Sequence, residues 1–456
     1  MATTFLANLI IMAAATLAGA LSARELGPAG RGQLAIVALW SLLIHTVGSL
    51  GLHSSCSYYV ARWPDRQAVL ATWFRRIAAR QAIVMTAASI AILWWLHVHL
   101  GVGTLLTMEY TTWAAGATIG LYGVTYVQGS LDFTRFNGAR LISGAMPGAL
   151  MLLGALALRL TPAEAGAAYL IPTWCGAALA AIWLRRASRG VRTAPLARHE
   201  RRSVWSYGWR SVASLSGGLV NTSADQYTLG FLVPTSSLGL YSVGASAVTP
   251  IPTLIASLGM VGLPTVAALT GQAKADSSWR TLRRAACLLA VLAPPCAAVI
   301  PWAIPWVYGA RYDAAVVPAE ILLVGGCFFA LTTAVDALLR AYGLPGFVSI
   351  TQGAGGLVTI AGTLLVGGRP LAAVALASSL GFGVTFALAF ARLWEATRRS
   401  RRTPAAPIPR SNAGENHPAD ARYRPVHARP RRTITSYALA TSPDRRGRAR
   451  GRHGGV

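Results

Sequence analysis

Apolar residues run along this chain in long continuous blocks separated by short polar stretches, with no strand-like alternation between them. Twelve blocks stand out: Phe5–Ser22, Gln33–Leu52, Gln81–His99, Thr112–Ser130, Leu141–Leu160, Ala165–Leu184, Ser211–Val233, Gly239–Val266, Ala285–Tyr308, Val317–Leu339, Phe347–Gly367 and Leu371–Leu393. A helix needs about 20 mostly apolar residues to cross the hydrocarbon core of a bilayer. The pattern therefore predicts an all-α, polytopic membrane protein of about 12 transmembrane helices. Glycine and serine inside the blocks suit membrane packing, where small residues let backbones approach. Pro250, Pro252, Pro294 and Pro295 are expected to kink or break their helices. The start, Met-Ala-Thr-Thr, lacks the basic region of a signal peptide, so Phe5–Ser22 reads as the first span.

The chain also repeats itself. A shift of 208 positions pairs Arg75 and Arg76 with Arg283 and Arg284, Trp94 with Trp302, and Pro162 with Pro370. The same diagonal pairs Gly51 with Gly259, Gly101 with Gly309, Gly138 with Gly346, Gly148 with Gly356 and Gly154 with Gly362. This predicts an N-terminal six-helix lobe over 1–186, a basic connector over 187–204 and a C-terminal six-helix lobe over 205–395. An even number of spans per lobe makes the repeats parallel, and transporters of that build bind substrate between lobes that rock for alternating access.

Composition sharpens the class. Hydrophobic residues make up 54% and charged residues only 12%, against about 25% charged in soluble domains. The net charge of +26 would fit a nucleic-acid binder. That partner is excluded for the body of the protein, because the arginines sit between apolar blocks and in the tail. With a cytoplasmic N-terminus, inside connections hold twenty Arg or Lys residues and outside connections five, Arg24, Arg31, Arg159, Arg311 and Arg369. This positive-inside bias agrees with the even span count. Both predict a multi-pass protein of the bacterial inner membrane with both termini cytoplasmic. From 396 to 456 the chain turns rich in Arg, Pro, Ala and Gly, and a disordered tail is expected. Its arginines could bind anionic lipid at about 1 kcal/mol each or form a plain solvated tail.

No Walker loop, dinucleotide fingerprint, HExxH or GxSxG motif is present, and no connection is long enough for a catalytic domain. No catalytic residue, metal site or cofactor is expected. Cys56, Cys175, Cys287, Cys296 and Cys327 lack CxxC spacing and read as small packing residues.

Charged and polar groups inside the blocks are the informative ones. Arg210, Ser214, Gly217, Asn221 and Asp225 recur at helical spacing on one face of the seventh block. That stripe could face substrate or an ion, or form a polar seam satisfied by neighbouring helices. Asp336 lies within the tenth block, where it could act in ion coupling with Asp225 or pair with Arg340 at i, i+4. Arg24, closing the first block, could meet a phosphate with its planar fork or snorkel to the interface. His97 and His99 flank a helix end, as in an interfacial aromatic belt.

The run ARELGPAGRGQ from Ala23 to Gln33 resembles the opening of bacterial polysaccharide flippases, the O-antigen and oligosaccharide-lipid group of the multidrug/oligosaccharidyl-lipid/polysaccharide superfamily. So do DQYTLG from Asp225, LGLYSV from Leu238, YGARY from Tyr308 and LRAYGLP from Leu339. Their order and spacing cover about residues 1–395. The resemblance implies a V-shaped cavity between two lobes and movement of undecaprenyl-pyrophosphate-linked saccharide from the inner to the outer leaflet. It also implies cationic cavity residues that hold the pyrophosphate, and Arg24 and Arg210 lie where such residues are expected. The short lead before the first block and the basic tail depart from the family pattern. Other polysaccharide-assembly proteins would be partners. Two rival functions remain open. A cation-coupled drug exporter of the same superfamily would carry a carboxylate inside the N-terminal lobe, yet Glu25, Asp65, Glu109, Asp132 and Glu164 all fall at block ends or in loops. A membrane-embedded glycan polymerase or transferase would want a large outer loop bearing carboxylates or histidines.

Overall fold

The computed structural model describes residues 2–157, 160–189, 195–255, 266, 269–367 and 370–402. Thirteen α-helices and two short 3-10 turns make up these residues, and no strand occurs among them. The protein is an all-α, multi-pass membrane protein.

The helices are α1 (Ala2–Gly48), α2 (Leu52–Arg62), α3 (Gln67–Leu100), α4 (Thr104–Tyr110), α5 (Trp113–Gly129), α6 (Phe133–Ala157) and α7 (Pro162–Ala187). They continue with α8 (Arg198–Leu232), α9 (Thr235–Val248), α10 (Gly271–Tyr308), α11 (Val316–Ala341), α12 (Pro345–Val366) and α13 (Leu371–Arg402). Most begin before the apolar block that predicts them. α3, α8 and α10 start 14, 13 and 14 residues early, because basic first turns stay helical beyond the hydrocarbon. α13 runs on to Arg402, past the expected start of the tail at Ala396.

Nine helices among the described residues are long and apolar enough to cross a membrane, fewer than the twelve blocks. α1 counts once but crosses twice. Its first half runs alongside α6, with Asn137 donating to Thr4 Oγ1 at 3.1 Å and Gly144 facing Ile11. Its second half runs against α3, where Gln81 donates to the carbonyls of Gly48 and Ser49 at 3.1 and 3.2 Å. The reversal falls at Gly27, whose φ of 64° and ψ of −179° only glycine adopts without strain, followed by Pro28. The other two blocks are α5, just 17 residues long, and α8, whose polar stripe lowers its hydropathy.

The repeat seen in the sequence is a repeat of packing. α3 ends at Leu100 and α10 at Tyr308, 208 positions apart, and Gly101 and Gly309 after them both take positive φ, 65° and 102°. In the first half α5 packs parallel to α7 through Gly116 on Trp174 and Gly123 on Ala180. In the second half α11 packs parallel to α13 through Gly325 on Ser379 and Phe329 on Phe382. The remaining neighbours also correspond: α3 with α5 as α10 with α11, α6 with α7 as α12 with α13, and α1 with α6 as α8 with α12.

α8 belongs to both sides. Its first turns lie on the first half, with Val204 in the apolar cluster of Leu52, Phe74 and Tyr122 and Ser55 donating to the Val204 carbonyl at 2.9 Å. Its later turns pack on α12 and α13. At the end of the bundle that carries the Gly27 bend, α1 joins the second half directly. A Cβ on Gly32 would stand 1.7 Å from the Thr235 carbonyl oxygen, and one on Gly239 would stand 1.9 Å from that of Pro28. α1 and α9 therefore touch backbone to backbone, as small residues in membrane helices permit.

Candidate functional site

A cavity of about 740 Å³ lies between the two halves. α1 contributes Asn8 and Met12, α6 contributes Arg140, α8 contributes Thr222, Asp225 and Gln226, and α9, α11 and α13 supply a mostly apolar wall that includes Phe329 and Phe382. It is within the range of roughly 300–1,000 Å³ typical of small-molecule sites.

Arg140 is its one cation among the described residues. The side chain sits two turns into α6 and its guanidinium carbon lies 5.3 Å from the Phe136 ring centre. No ion pair involves it among the described residues. Asp225, 3% exposed, is the cavity's one acid. Its Oδ2 accepts from the Tyr241 hydroxyl at 2.5 Å and its Oδ1 from the Gln226 backbone N–H at 2.7 Å. The Ser378 hydroxyl stands beside this pair and is fully buried.

Behind the cavity wall runs a chain of buried amides and hydroxyls. Asn221 Nδ2 donates to Gln352 Oε1 at 2.7 Å and to Thr385 Oγ1 at 3.2 Å. Gln352 Nε2 in turn donates to Asp336 Oδ2 at 2.9 Å. Asp336 is therefore tied to α12, and its hydrogen bond is not the i, i+4 pair with Arg340 that its spacing allows. Two acceptors in this chain, Asn221 Oδ1 and Asp336 Oδ1, are buried with no hydrogen-bond partner among the described residues. An orphaned buried acceptor costs about 1–3 kcal/mol, so such groups call for an explanation in a cation, a proton or a water.

The residues expected from sequence are thus divided. Among the described side chains of the helical stripe, Asp225 alone lines the cavity. Asn221 belongs to the seam behind it. Arg210 is exposed near Gly51, where α8 packs on α2. The side chain of Ser214 lies outside the described residues. Arg24 is exposed at the bend end, where Nε donates to the Val307 carbonyl at 2.7 Å and Nη2 to that of Trp306. It satisfies the C-terminal carbonyls of α10. The Tyr312 hydroxyl crosses in the other direction to the Ala23 carbonyl at 3.0 Å.

Sequence reasoning missed Arg140, which read only as an inside-loop charge, and Gln226, Tyr241 and Gln352. A signal for two of them was present. Gln226 and Tyr241 lie in the DQYTLG and LGLYSV runs, and the structure brings those runs together through the Asp225–Tyr241 bond. No group of three or more His, Cys, Asp or Glu residues able to hold a metal occurs among the described residues. His97 and His99 sit at the end of α3, with the His99 ring stacked on Trp95 at 4.5 Å.

The family profile described as "Polysaccharide biosynthesis protein" matches residues 1–270. No curated protein sequence matches significantly. Solved structures with a similar fold include an inward-facing multidrug resistance MATE family transporter of the MOP superfamily, with a TM-score of 0.69 at 13% identity, covering 88% of this chain and 100% of that one. The lipid II flippase MurJ in an inward closed conformation has a TM-score of 0.64 at 12% identity, covering 88% and 90%. A MOP superfamily transporter from Pyrococcus furiosus has a TM-score of 0.57 at 13% identity, covering 88% and 95%.

Proposed function

Because this chain belongs to the polysaccharide biosynthesis protein family and folds as MOP superfamily transporters do, we propose that it translocates a lipid-pyrophosphate-linked saccharide from the inner to the outer leaflet of the bacterial inner membrane. The observation that carries this reading is the unpaired Arg140 in the cavity between the halves. A half-buried cation with no ion-pair partner among the described residues favours an anionic ligand, and a pyrophosphate supplies one through charge-assisted hydrogen bonds to the guanidinium fork.

In this reading the ends bearing Arg62, Arg135, Arg185 and Arg340 are cytoplasmic, and so are both termini. The six-helix lobes are 1–186 and 205–395, joined by the 187–204 connector, with α13 running on to Arg402 and the chain beyond it as a basic tail on anionic lipid. The head group enters between the lobes while its lipid tail stays in the bilayer. Arg140 holds the pyrophosphate, and the Thr222, Gln226 and Asn8 side chains meet sugar hydroxyls. The bend end is the closed gate, held by Arg24 on the α10 carbonyls and Tyr312 on the Ala23 carbonyl. Rocking of the lobes breaks these bonds and delivers the head group outward. Arg24 becomes free for phosphate only then, while Arg210 and Ser214 stand on the entry side. No bond in the substrate is made or broken, so the protein acts as a carrier without a cofactor. Asp225 and Asp336 are the candidate coupling groups, each placed where proton or cation binding would change a buried hydrogen-bond chain.

The drug-exporter reading draws on the likeness to the MATE fold. Arg140 opposes it for any cationic drug, which its charge would repel. Reconstitution in liposomes separates the two. The expected result is translocation of a fluorescent short-prenyl pyrophosphoryl sugar by the wild type, at least tenfold slower in Arg140→Gln. Transport of a cationic dye with no movement of the pyrophosphoryl sugar would overturn the flippase reading.

A further inference from the structure

Gln226 has two faces. One looks into the cavity of Arg140, and the other into a second chamber of about 270 Å³ nearer the bend end. This chamber lies where the second half of α1, the α4–α5–α7 group and α8–α9 meet. Its lining combines Arg31 with the rings of Tyr110, Trp113 and Tyr169 and the hydroxyl-bearing Ser242 and Ser246.

Arg31 is its only charged residue. One of its five N–H donors is taken by Ser22 Oγ, at 3.0 Å. Its Nε is buried and has no hydrogen-bond partner. No carboxylate pairs with it among the described residues. Glu109, next to Tyr110 on α4, does not line the chamber. Instead the guanidinium charge faces the phenols of Tyr110, Tyr308 and Tyr312. A half-buried cation with an orphaned buried donor carries a cost, and an anionic oxygen removes it.

The remaining walls are aromatic and hydroxyl-bearing. The Tyr110 and Trp113 rings are stacked, at an interplanar angle of 13° with centres 6.3 Å apart, and Tyr110 is buried, so they wall one side rigidly while Gln226 and the serine hydroxyls offer polar groups on another. The volume falls just under the lower limit of about 300 Å³ usual for small-molecule sites. It therefore admits a single ring or a phosphate group, not an extended chain.

We propose that the chamber is a second station on the translocation path, where Arg31 binds a phosphate oxygen of the lipid-linked saccharide, with Gln226 separating it from the Arg140 station. The inference rests on the flippase reading and deepens it. Two cationic stations on either side of one amide let the pyrophosphate pass from one guanidinium to the next without crossing the apolar middle uncompensated.

Binding of inorganic pyrophosphate to the full-length protein in nanodiscs, measured by calorimetry, tests it. Arg140→Gln is expected to retain weaker binding, and the double variant Arg140→Gln with Arg31→Gln to lose at least tenfold of what remains. Arg31→Lys in the Arg140→Gln background should restore most of that loss, which separates charge from folding. Equal affinity in the single and double variants, or no residual binding in Arg140→Gln, overturns the second station while leaving the flippase reading intact. Wild-type protein that binds no pyrophosphate removes both.

Discussion

The Tyr241 hydroxyl reaches Asp225 Oδ2 at 2.5 Å, joining α9 to α8 at the wall of the central cavity. Asp225 is 3% exposed and Tyr241 fully buried, so this bond and the Gln226 N–H hold the carboxylate without a salt bridge. Hydrogen bonds to charged groups contribute about 1.5–3 kcal/mol. Tyr241→Phe is expected to lower thermal stability by that order and to slow transport of the pyrophosphoryl sugar. Asp225→Asn keeps the shape and lets Tyr241 still donate. It should fold normally and lose any dependence of transport on an imposed ion or proton gradient. A gradient response unchanged in Asp225→Asn would assign coupling elsewhere.

Asp336 offers the parallel test in the seam. Its Oδ2 is held by Gln352 and its Oδ1 has no partner. In Asp336→Asn the retained oxygen can accept from Gln352 while the new amide replaces the orphaned acceptor. Stability is therefore expected to hold or rise by about 1 kcal/mol, measured by thermal unfolding in detergent. A large loss would show that Oδ1 is occupied by a cation or water in the native membrane.

How far the sequence carries to these residues depends on what sets each feature. Block length and polarity fix a spanning helix, so the helices and their 208-residue repeat were legible from hydropathy and from pairs such as Trp94 with Trp302. The family runs were legible as strings, and the structure supplies their physical meaning. Gly32 of the first run lies against Gly239 of another, Tyr312 of a third reaches Ala23, and Tyr241 reaches Asp225. The first two of these contacts join the halves, and the third ties α8 to α9 within the second half. What was not legible is which charge enters the cavity. Arg140 and Arg24 both sit near helix ends in sequence, and only the packing of α6 against α1 turns one inward while the bend at Gly27 sets the other on α10. Spacing along one helix likewise could not reveal that Asp336, with Arg340 near it along α11, also reaches across to Gln352.

The contact of Gly32 with α9 predicts a sharp steric threshold. A methyl group there would overlap the Thr235 carbonyl, and backbone cannot rotate aside as a side chain does. Gly32→Ala should separate α1 from α9 and lower the yield of folded protein severalfold in detergent chromatography. Gly138→Ala is the control. Nothing lies within 4 Å of a Cβ at that position, and alanine favours a helix over glycine by about 1 kcal/mol, so yield should not fall.

Arg24 predicts a shift in conformation rather than in fold. Its side chain is exposed and its bonds end on the carbonyls of Val307 and Trp306, at the C-terminus of α10. Arg24→Ala leaves those carbonyls to water, a small penalty at an interface, but removes a tie between the halves. Distances between spin labels on α1 and α10 at the bend end should broaden toward longer values, with the melting temperature nearly unchanged. A distribution identical to wild type would show that the Gly32–Gly239 contact and the Tyr312–Ala23 bond suffice to keep this end closed.

Gln226 divides two chambers whose cations would otherwise share one space. Removing its amide in Gln226→Ala merges the volumes and leaves the helix intact, since alanine is the better helix former. If the amide does no more than line a wall, transport and selectivity should stay as they are. If it separates two stations, the variant should leak. Head groups would then pass without the ordered transfer from Arg140 to Arg31, and the ratio of transport rates for a pyrophosphoryl sugar over a bare prenyl pyrophosphate should fall at least fivefold. The ratio, not the rate, is the decisive reading, because a merely destabilised protein slows both substrates alike.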